Sequence, residues 1–217
     1  MLLFKKFQAS YGQQIPAIND GYTFINLNFD FEYFETVYNE VTISTMGYVC
    51  LGKNKACNID IRPTIHDILV GLNYGLDTSR NGSGQIYYKS LRNDSTEFRM
   101  ARIYVNLFSP TFIPYNIFMI TYDQVLSYDK TSNGKASFQV FLLANFLKSY
   151  AIFKFIQCPA ELTLKASSGL NHKASINNAS TLKEITIDNG QQCTSSNVGQ
   201  TGIWVIEVTN LASGNYD

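Results

Sequence analysis

Apolar and polar residues alternate along much of the chain, and this period of two is typical of β-strands with one buried face. In the segment 29–33, three aromatic residues alternate with two acidic ones, which places the aromatic rings on one face. Segments rich in β-branched and aromatic residues recur at 42–45, 48–51, 86–88 and 118–122. We therefore predict a mainly β protein, an antiparallel β-sandwich-like domain.

Turn and helix signals complete this prediction. Asn-Gly pairs begin at Asn81, Asn133 and Asn189, and such pairs favour hairpin turns because both residues accept a positive φ. The runs 138–143 and 150–155 are almost continuously apolar, which predicts two central strands joined by a polar corner at 145–148. One short helix is predicted after an N-cap at Asp94 or Ser95, with Phe98, Ala101 and Val105 on one face.

The chain shows no fixed-period repeat and no linker that would divide it. We expect an N-terminal extended arm over 1–20, one β domain over 21–210 and a C-terminal tail over 211–217. The arm carries an apolar segment from Leu2 to Phe7, which we expect to pair within its own sandwich or to reach into another subunit. Its apolar start is too short for a signal peptide, and polar residues interrupt the longest apolar stretch, 138–156. We expect no transmembrane helix and no membrane insertion.

Charge is scarce in this sequence, because charged residues make up 16% of its 217 residues and the formal net charge is zero. A chain without surplus positive charge is a poor ligand for polyanions, so we expect no nucleic acid partner. Asparagine, serine and threonine are abundant. The surface is therefore expected to consist largely of amides and hydroxyls.

Sequons and cysteines favour an extracellular location. Asn81, Asn93 and Asn178 each begin an N-x-S sequon, and we expect N-linked glycans there. The four cysteines lack the spacing of a zinc or redox site, which leads us to predict two disulfides, Cys50–Cys57 and Cys158–Cys193. Four reduced, buried thiols in a cytosolic protein are the alternative.

No residue pattern indicates catalysis, a cofactor or a metal site. The two histidines are His66, next to Asp67, and His172, which we expect in a solvated loop; adjacent residues on a strand face opposite ways and do not form a triad. The segment that begins at Asp77 spaces oxygen atoms as a calcium loop does, but it lacks the closing glutamate, so we expect a hairpin turn there. We predict that the protein is not an enzyme.

Several short motifs follow one another in a characteristic order between Tyr11 and Val208. They are Tyr11-Gly12 with Asn19-Asp20-Gly21, the alternating segment from Ile25 to Phe31, Thr45-Met46-Gly47-Tyr48-Val49-Cys50-Leu51-Gly52, Leu76-Asp77-Thr78 with Gly84-Gln85-Ile86-Tyr87-Tyr88, Tyr122-Asp123-Gln124-Val125 with Tyr128, Phe138-Gln139 with Ser149-Tyr150-Ala151-Ile152-Phe153, Gly169-Leu170-Asn171, and Gly202-Ile203-Trp204-Val205. In this order they resemble a NIDO domain, the extracellular module of nidogen, alpha-tectorin and the large membrane mucins. The chain resembles a divergent member, because Met46 replaces an asparagine of the family pattern, and Asn73 and Gly75 replace an aromatic and an acidic residue.

The resemblance implies an extracellular protein, either secreted or the ectodomain of a larger surface protein, with a structural or adhesive role. Low charge, an apolar arm and the aromatic content favour self-assembly through strand edges and aromatic surface into a filament, coat or matrix. The expected partners are copies of the same chain or other extracellular matrix proteins. The alternative is a monomeric adhesion module that binds glycans or a receptor.

Overall fold

A computed structural model describes residues 12–18, 20–34, 36–53, 67–73, 75–128, 134–159, 167–176, 179–187 and 191–209. These residues form thirteen strands and one helix: β1 (Gln13–Gln14), β2 (Tyr22–Tyr33), β3 (Thr36–Ser44), β4 (Tyr48–Leu51), β5 (Ile68–Asn73), β6 (Leu76–Asp77), β7 (Gln85–Ser90), α1 (Thr96–Phe108), β8 (Asn116–Ser127), β9 (Lys135–Ala144), β10 (Ser149–Gln157), β11 (Ser167–Ile176), β12 (Ala179–Ile187) and β13 (Ile203–Glu207).

The strands form two antiparallel sheets. The first sheet has the order β1-β7-β8-β9-β10-β13, with β6 also paired to β8, and the second has the order β12-β11-β5-β4-β3-β2. The main hydrophobic core contains buried side chains from both sheets, including Phe31, Ile43 and Phe153. The prediction of a mainly β, antiparallel sandwich with one short helix is confirmed.

A pair of aromatic rings links the two sheets at the centre of this core. Tyr122 stacks on Phe138 with ring centroids 4.3 Å apart, and its hydroxyl donates a 2.7 Å hydrogen bond to the Ser44 carbonyl of the second sheet. Burial raises the pKa of Tyr122 well above its ordinary value, because an ionised phenol is poorly solvated there. Gly71 faces the same rings, and a Cβ at this position would lie 2.2 Å from the Phe138 ring. The absence of a side chain at position 71 therefore makes room for the stacked pair.

Helix α1 covers the outer face of the first sheet and creates a second core there. Its buried side chains, among them Phe98, Ala101 and Val105, pack against residues of β8, β9, β10 and β13. Ser95 is the N-cap, and its hydroxyl accepts a 3.2 Å hydrogen bond from the Phe98 N–H. The predicted helix and its cap are thus confirmed. Coverage on both faces also explains why β9 and β10 are almost continuously apolar.

One predicted hairpin is wrong. β6 and β7 do not pair with each other, because both pair with β8: Leu76 lies opposite Ser127, and Gln85 lies opposite Asp123. The turn at Asn81-Gly82 therefore interrupts one edge of the sheet instead of reversing the chain. Asn133 and the pair Asn189-Gly190 lie outside the described residues.

The predicted disulfide between Cys158 and Cys193 is confirmed, with the two Cα atoms 6.1 Å apart. It joins the end of β10 to the segment before β13, across the stretch of chain that contributes β11 and β12 to the second sheet. Cys50 is also disulfide-bonded, and no described cysteine is free. Cys57, its predicted partner, lies outside the described residues.

The chain ends are described in part. Residues 1–11 and 210–217 lie outside the described residues, so the apolar segment from Leu2 to Phe7 and the predicted tail remain predictions. Within the span predicted as an arm, Gln13–Gln14 pairs with β7 at the edge of the first sheet. The described residues contain no helix that is long and apolar enough to cross a membrane.

Candidate interaction surface

The turn between β9 and β10 is held by the side chain of Asn145. Its Oδ1 accepts hydrogen bonds from the backbone N–H groups of Leu147 and Lys148, at 2.9 and 2.8 Å. Its Nδ2 donates to the Ile113 carbonyl at 3.2 Å, which ties the turn to the segment after α1. An asparagine that bonds the backbone two residues ahead is a common way of closing a tight turn.

This turn exposes large apolar side chains. Phe146 is 92% exposed and Leu147 80% exposed, the two largest values among the described large apolar residues. The Phe146 ring lies 4.9 Å from that of Tyr115, which is itself exposed, as is the neighbouring Ile113. We call Ile113, Tyr115, Phe146 and Leu147 the apolar tip. Such clusters at the surface mark contacts with other molecules more often than single exposed residues do.

A polar network supports the base of the apolar tip. The Glu207 carboxylate accepts a 2.9 Å hydrogen bond from the Tyr150 hydroxyl and lies 2.9 Å from Lys148 Nζ. The hydrogen bond to Glu207 raises the pKa of Lys148 above its ordinary value. Tyr150 is fully buried against Phe112, with ring centroids 4.5 Å apart. These contacts hold the C-terminal end of the turn in one position.

The edge of the first sheet at β13 is covered by the segment that precedes it. The Asn197 side chain donates to the Val205 carbonyl at 2.7 Å and accepts from the Val205 N–H at 2.9 Å, as a neighbouring strand would. The Trp204 indole N–H donates to the Gln192 carbonyl at 3.2 Å. At the opposite edge, β1 is two residues long. Covered or very short edges limit strand addition, so the apolar tip offers a clearer contact surface than these edges.

A cleft of about 480 Å³ lies between the edges of the two sheets. The edge strand of the second sheet is β2. The edge strand of the first sheet is β1, which covers only Tyr87 and Tyr88 of β7, so the rest of β7 also lies at the edge. The cleft is lined by Gly12, Gln13, Phe24, Ile25, Asn26, Asn28, Tyr88, Lys89, Ser90 and Phe118. A second cleft of about 480 Å³ adjoins it and shares Asn26 and Asn28.

The predicted glycosylation sites fall on different parts of the surface. Asn81 is exposed in the loop between β6 and β7, and Asn93 is exposed before α1. Asn178 lies outside the described residues. The exposure of Asn81 and Asn93 is compatible with attached glycans, whose presence stays a prediction.

The remaining candidate residues are placed as follows. Asp77 Oδ1 accepts hydrogen bonds from both the N–H and the hydroxyl of Ser79, at 2.8 and 2.6 Å, so this oxygen is engaged within its own turn. No group of three potential metal ligands occurs among the described residues. His66 lies outside them. The expected loop position of His172 is wrong, because this residue lies in β11 opposite Lys183.

The sequence analysis missed the apolar tip because Asn145 and Lys148 made the segment 145–148 look like a polar corner. Two apolar residues between turn-forming residues were the available signal. Period-two patterning does not reveal it, because a turn has no buried face.

Comparison with known protein families settles the resemblance. The family model of the nidogen-like domain, NIDO, matches residues 39–210, well over half of the chain. The chain belongs to the NIDO family. NIDO domains are extracellular modules of matrix and adhesion-type proteins. The matched region of this NIDO domain includes both the apolar tip and the disulfide. No curated protein and no solved structure matches the sequence at a significant level.

Proposed function

We propose that this NIDO domain is an adhesive or structural module that self-associates through the apolar tip. The observation that carries the proposal is the pair Phe146 and Leu147, which are 92% and 80% exposed on a turn that Asn145 holds in place. Burying these side chains against another protein would release about 25 cal/mol for each Å² of apolar surface removed from water. The fixed turn reduces the entropy lost on association.

Charge supports a second copy of the same chain as the partner. The formal net charge is zero, so two copies do not repel each other as a whole. The charges nearest the apolar tip, on Lys148 and Glu207, neutralise each other. An apolar centre with a polar rim is the usual composition of a protein–protein interface.

The test is sedimentation velocity over a concentration series of the glycosylated protein. We expect the wild-type chain to associate as its concentration rises, and Phe146→Ser with Leu147→Ser to remain monomeric. Both changes lie on an exposed turn, so the thermal midpoint should change little. The matched control is Ile18→Ser, which removes a 50% exposed apolar side chain elsewhere and should leave association intact. A monomeric wild-type chain at every concentration would contradict self-association.

N-glycosylation of Asn81 and Asn93 is part of the same proposal, since both side chains are exposed. Mass spectrometry of native protein before and after glycosidase treatment should show the mass loss and the Asn-to-Asp conversion at these positions. Unmodified asparagine at all three sequons, including Asn178, would contradict it. The other candidate, a monomeric module that binds a glycan or a receptor, is favoured by the cleft described above.

A further inference from the structure

The cleft between the two sheet edges is shaped by an irregularity in β2. Asn26 pairs with Glu40 and Phe31 with Tyr38, so four residues of β2 lie opposite the single Asn39 of β3. The extra residues form a large irregular bulge, and bulges in strands redirect side chains. Asn28, at the crest, has φ 61°, a left-handed backbone that costs a non-glycine residue free energy. The bulge and its φ place the Asn28 side chain at the junction of the two clefts.

Three amides line these clefts without protein partners. Asn26, Asn28 and Asn39 are exposed, and their side chains make no hydrogen bond within the described part of the chain. An amide offers two donors and two acceptor positions, which match the paired hydroxyls of a sugar ring. The neighbouring apolar surface comes from Phe24 and from Tyr88, a half-buried ring 5.9 Å from that of Phe118. Aromatic rings pack against the C–H faces of sugars as they do against other apolar groups.

Charge in the cleft argues against an anionic ligand. Lys89 forms a 2.7 Å ion pair with Glu97, and Asp30 adds a negative group in the adjoining cleft. Lys53 lies over the Phe24 ring, with Nζ 5.5 Å from its centroid. The cations are thus matched by local acidic or aromatic groups, and the three amides carry no charge.

From this geometry we propose that the cleft binds an uncharged oligosaccharide, with Asn26, Asn28 and Asn39 as hydrogen-bonding groups. The size fits, because small-molecule sites commonly enclose about 300–1,000 Å³. This site is separate from the apolar tip and does not depend on self-association through it. A module with both features would associate with copies of itself through the apolar tip and hold a glycan in the cleft.

Isothermal titration calorimetry of the whole chain tests whether the cleft binds an uncharged oligosaccharide. The neutral probes are N-acetylchitotetraose, maltotetraose and cellotetraose, and a heparin tetrasaccharide is the anionic comparison. We expect at least one neutral probe to bind with a dissociation constant of about 1 mM or tighter, and the heparin probe to bind more weakly. Asn28→Gly should weaken binding about fivefold by removing one amide, a loss of the size that one hydrogen bond contributes. Glycine accepts the positive φ, so this variant should stay folded.

The matched control is Asp20→Gly, which also replaces an exposed residue of positive φ, 50°, outside the cleft. It should bind the probe as the wild type does, as should Phe146→Ser in the apolar tip. The double variant Asn26→Ala with Asn39→Ala should abolish measurable binding while the circular dichroism spectrum stays unchanged. Failure of all three neutral probes to bind, a preference for heparin, or equal losses in Asn28→Gly and Asp20→Gly would overturn the proposal.

Discussion

At the scale of single residues, Lys154 is the clearest case of a side chain whose environment opposes its charge. It lies in β10 under α1, is 5% exposed, and its Nζ sits 5.6 Å from the centre of the Tyr104 ring. Burial lowers the pKa of Lys154 from 10.5 to about 8, because the ammonium loses its hydration. The attraction of the aromatic ring offsets part of that cost.

This lowered pKa predicts a pH-dependent stability. Below pH 8, Lys154 is charged in both the folded and unfolded chain, and the cost of burying the charge is fully present. Between pH 8 and 10.5 the unfolded chain binds more protons, so the free energy of unfolding rises with pH, by about 2 kcal/mol from pH 7 to 9.5. Burial raises the pKa of Tyr33 well above its ordinary value in the folded chain. Tyrosines of the unfolded chain ionise above pH 10, which favours unfolding, so the rise in the free energy of unfolding ends there.

Lys154→Met tests this assignment, since methionine keeps much of the apolar stem. We expect the variant to be more stable than the wild type at pH 7 by about 2 kcal/mol, and to lose the rise between pH 7 and 9.5. Urea unfolding at both pH values measures each quantity. Lys135→Met, at a half-exposed position of β9, should retain the wild-type pH dependence. The same rise in both variants would show that another group causes it.

At the scale of elements, the side chain of Asn197 covers part of the edge strand β13. It pairs with both the N–H and the carbonyl of Val205, a fully buried residue of β13. An amide therefore takes the place of a neighbouring strand at this edge. Unpaired backbone groups at an edge favour pairing with another chain.

We expect Asn197→Ala to destabilise the chain by about 1–2 kcal/mol, because two backbone groups of Val205 lose their partners. The variant should also aggregate faster on incubation below its thermal midpoint, as followed by light scattering. Asn116→Ala is the control, since Asn116 is exposed at the start of β8 and its side chain makes no hydrogen bond within the described residues. Unchanged stability and aggregation in Asn197→Ala would mean that water forms the hydrogen bonds to the Val205 backbone groups in place of the amide.

At the scale of the whole molecule, the Cys158–Cys193 disulfide closes an excursion of the chain from the first sheet into the second. The chain leaves the first sheet after β10, forms β11 and β12 in the second, and returns as β13. The disulfide closes this excursion over a sequence separation of 35 residues. Closing such a loop reduces the conformational entropy of the unfolded chain.

The double variant Cys158→Ser with Cys193→Ser should lose about 4 kcal/mol in the free energy of unfolding, by the chain-entropy relation for this loop length. Guanidinium unfolding measures the loss. Serine at both positions leaves no unpaired thiol, and the remaining cysteines are unaltered. An unchanged midpoint would mean that β11 and β12 hold the excursion in place without the disulfide.

The sequence by itself determined that the runs 138–143 and 150–155 become central strands and where the helix begins. Alternation along β2 set its buried face, and Ser95 marked the start of α1, because these features depend on neighbours along the chain. The order of the motifs also identified the NIDO family, now shown by the match over 39–210. The cysteine spacings excluded a metal site and so favoured disulfides, whereas the fold decides that Cys158 pairs with Cys193.

Only the tertiary structure decided what lies exposed at the ends and edges of the sandwich. The hairpin predicted at Asn81-Gly82 failed because β8 pairs with both flanking strands, a long-range choice that local turn chemistry cannot encode. The exposure of Phe146 and the cleft beside Asn28 depend on segments distant in sequence. Buried faces repeat with the period of a strand, whereas exposed surfaces are whatever the packing leaves uncovered.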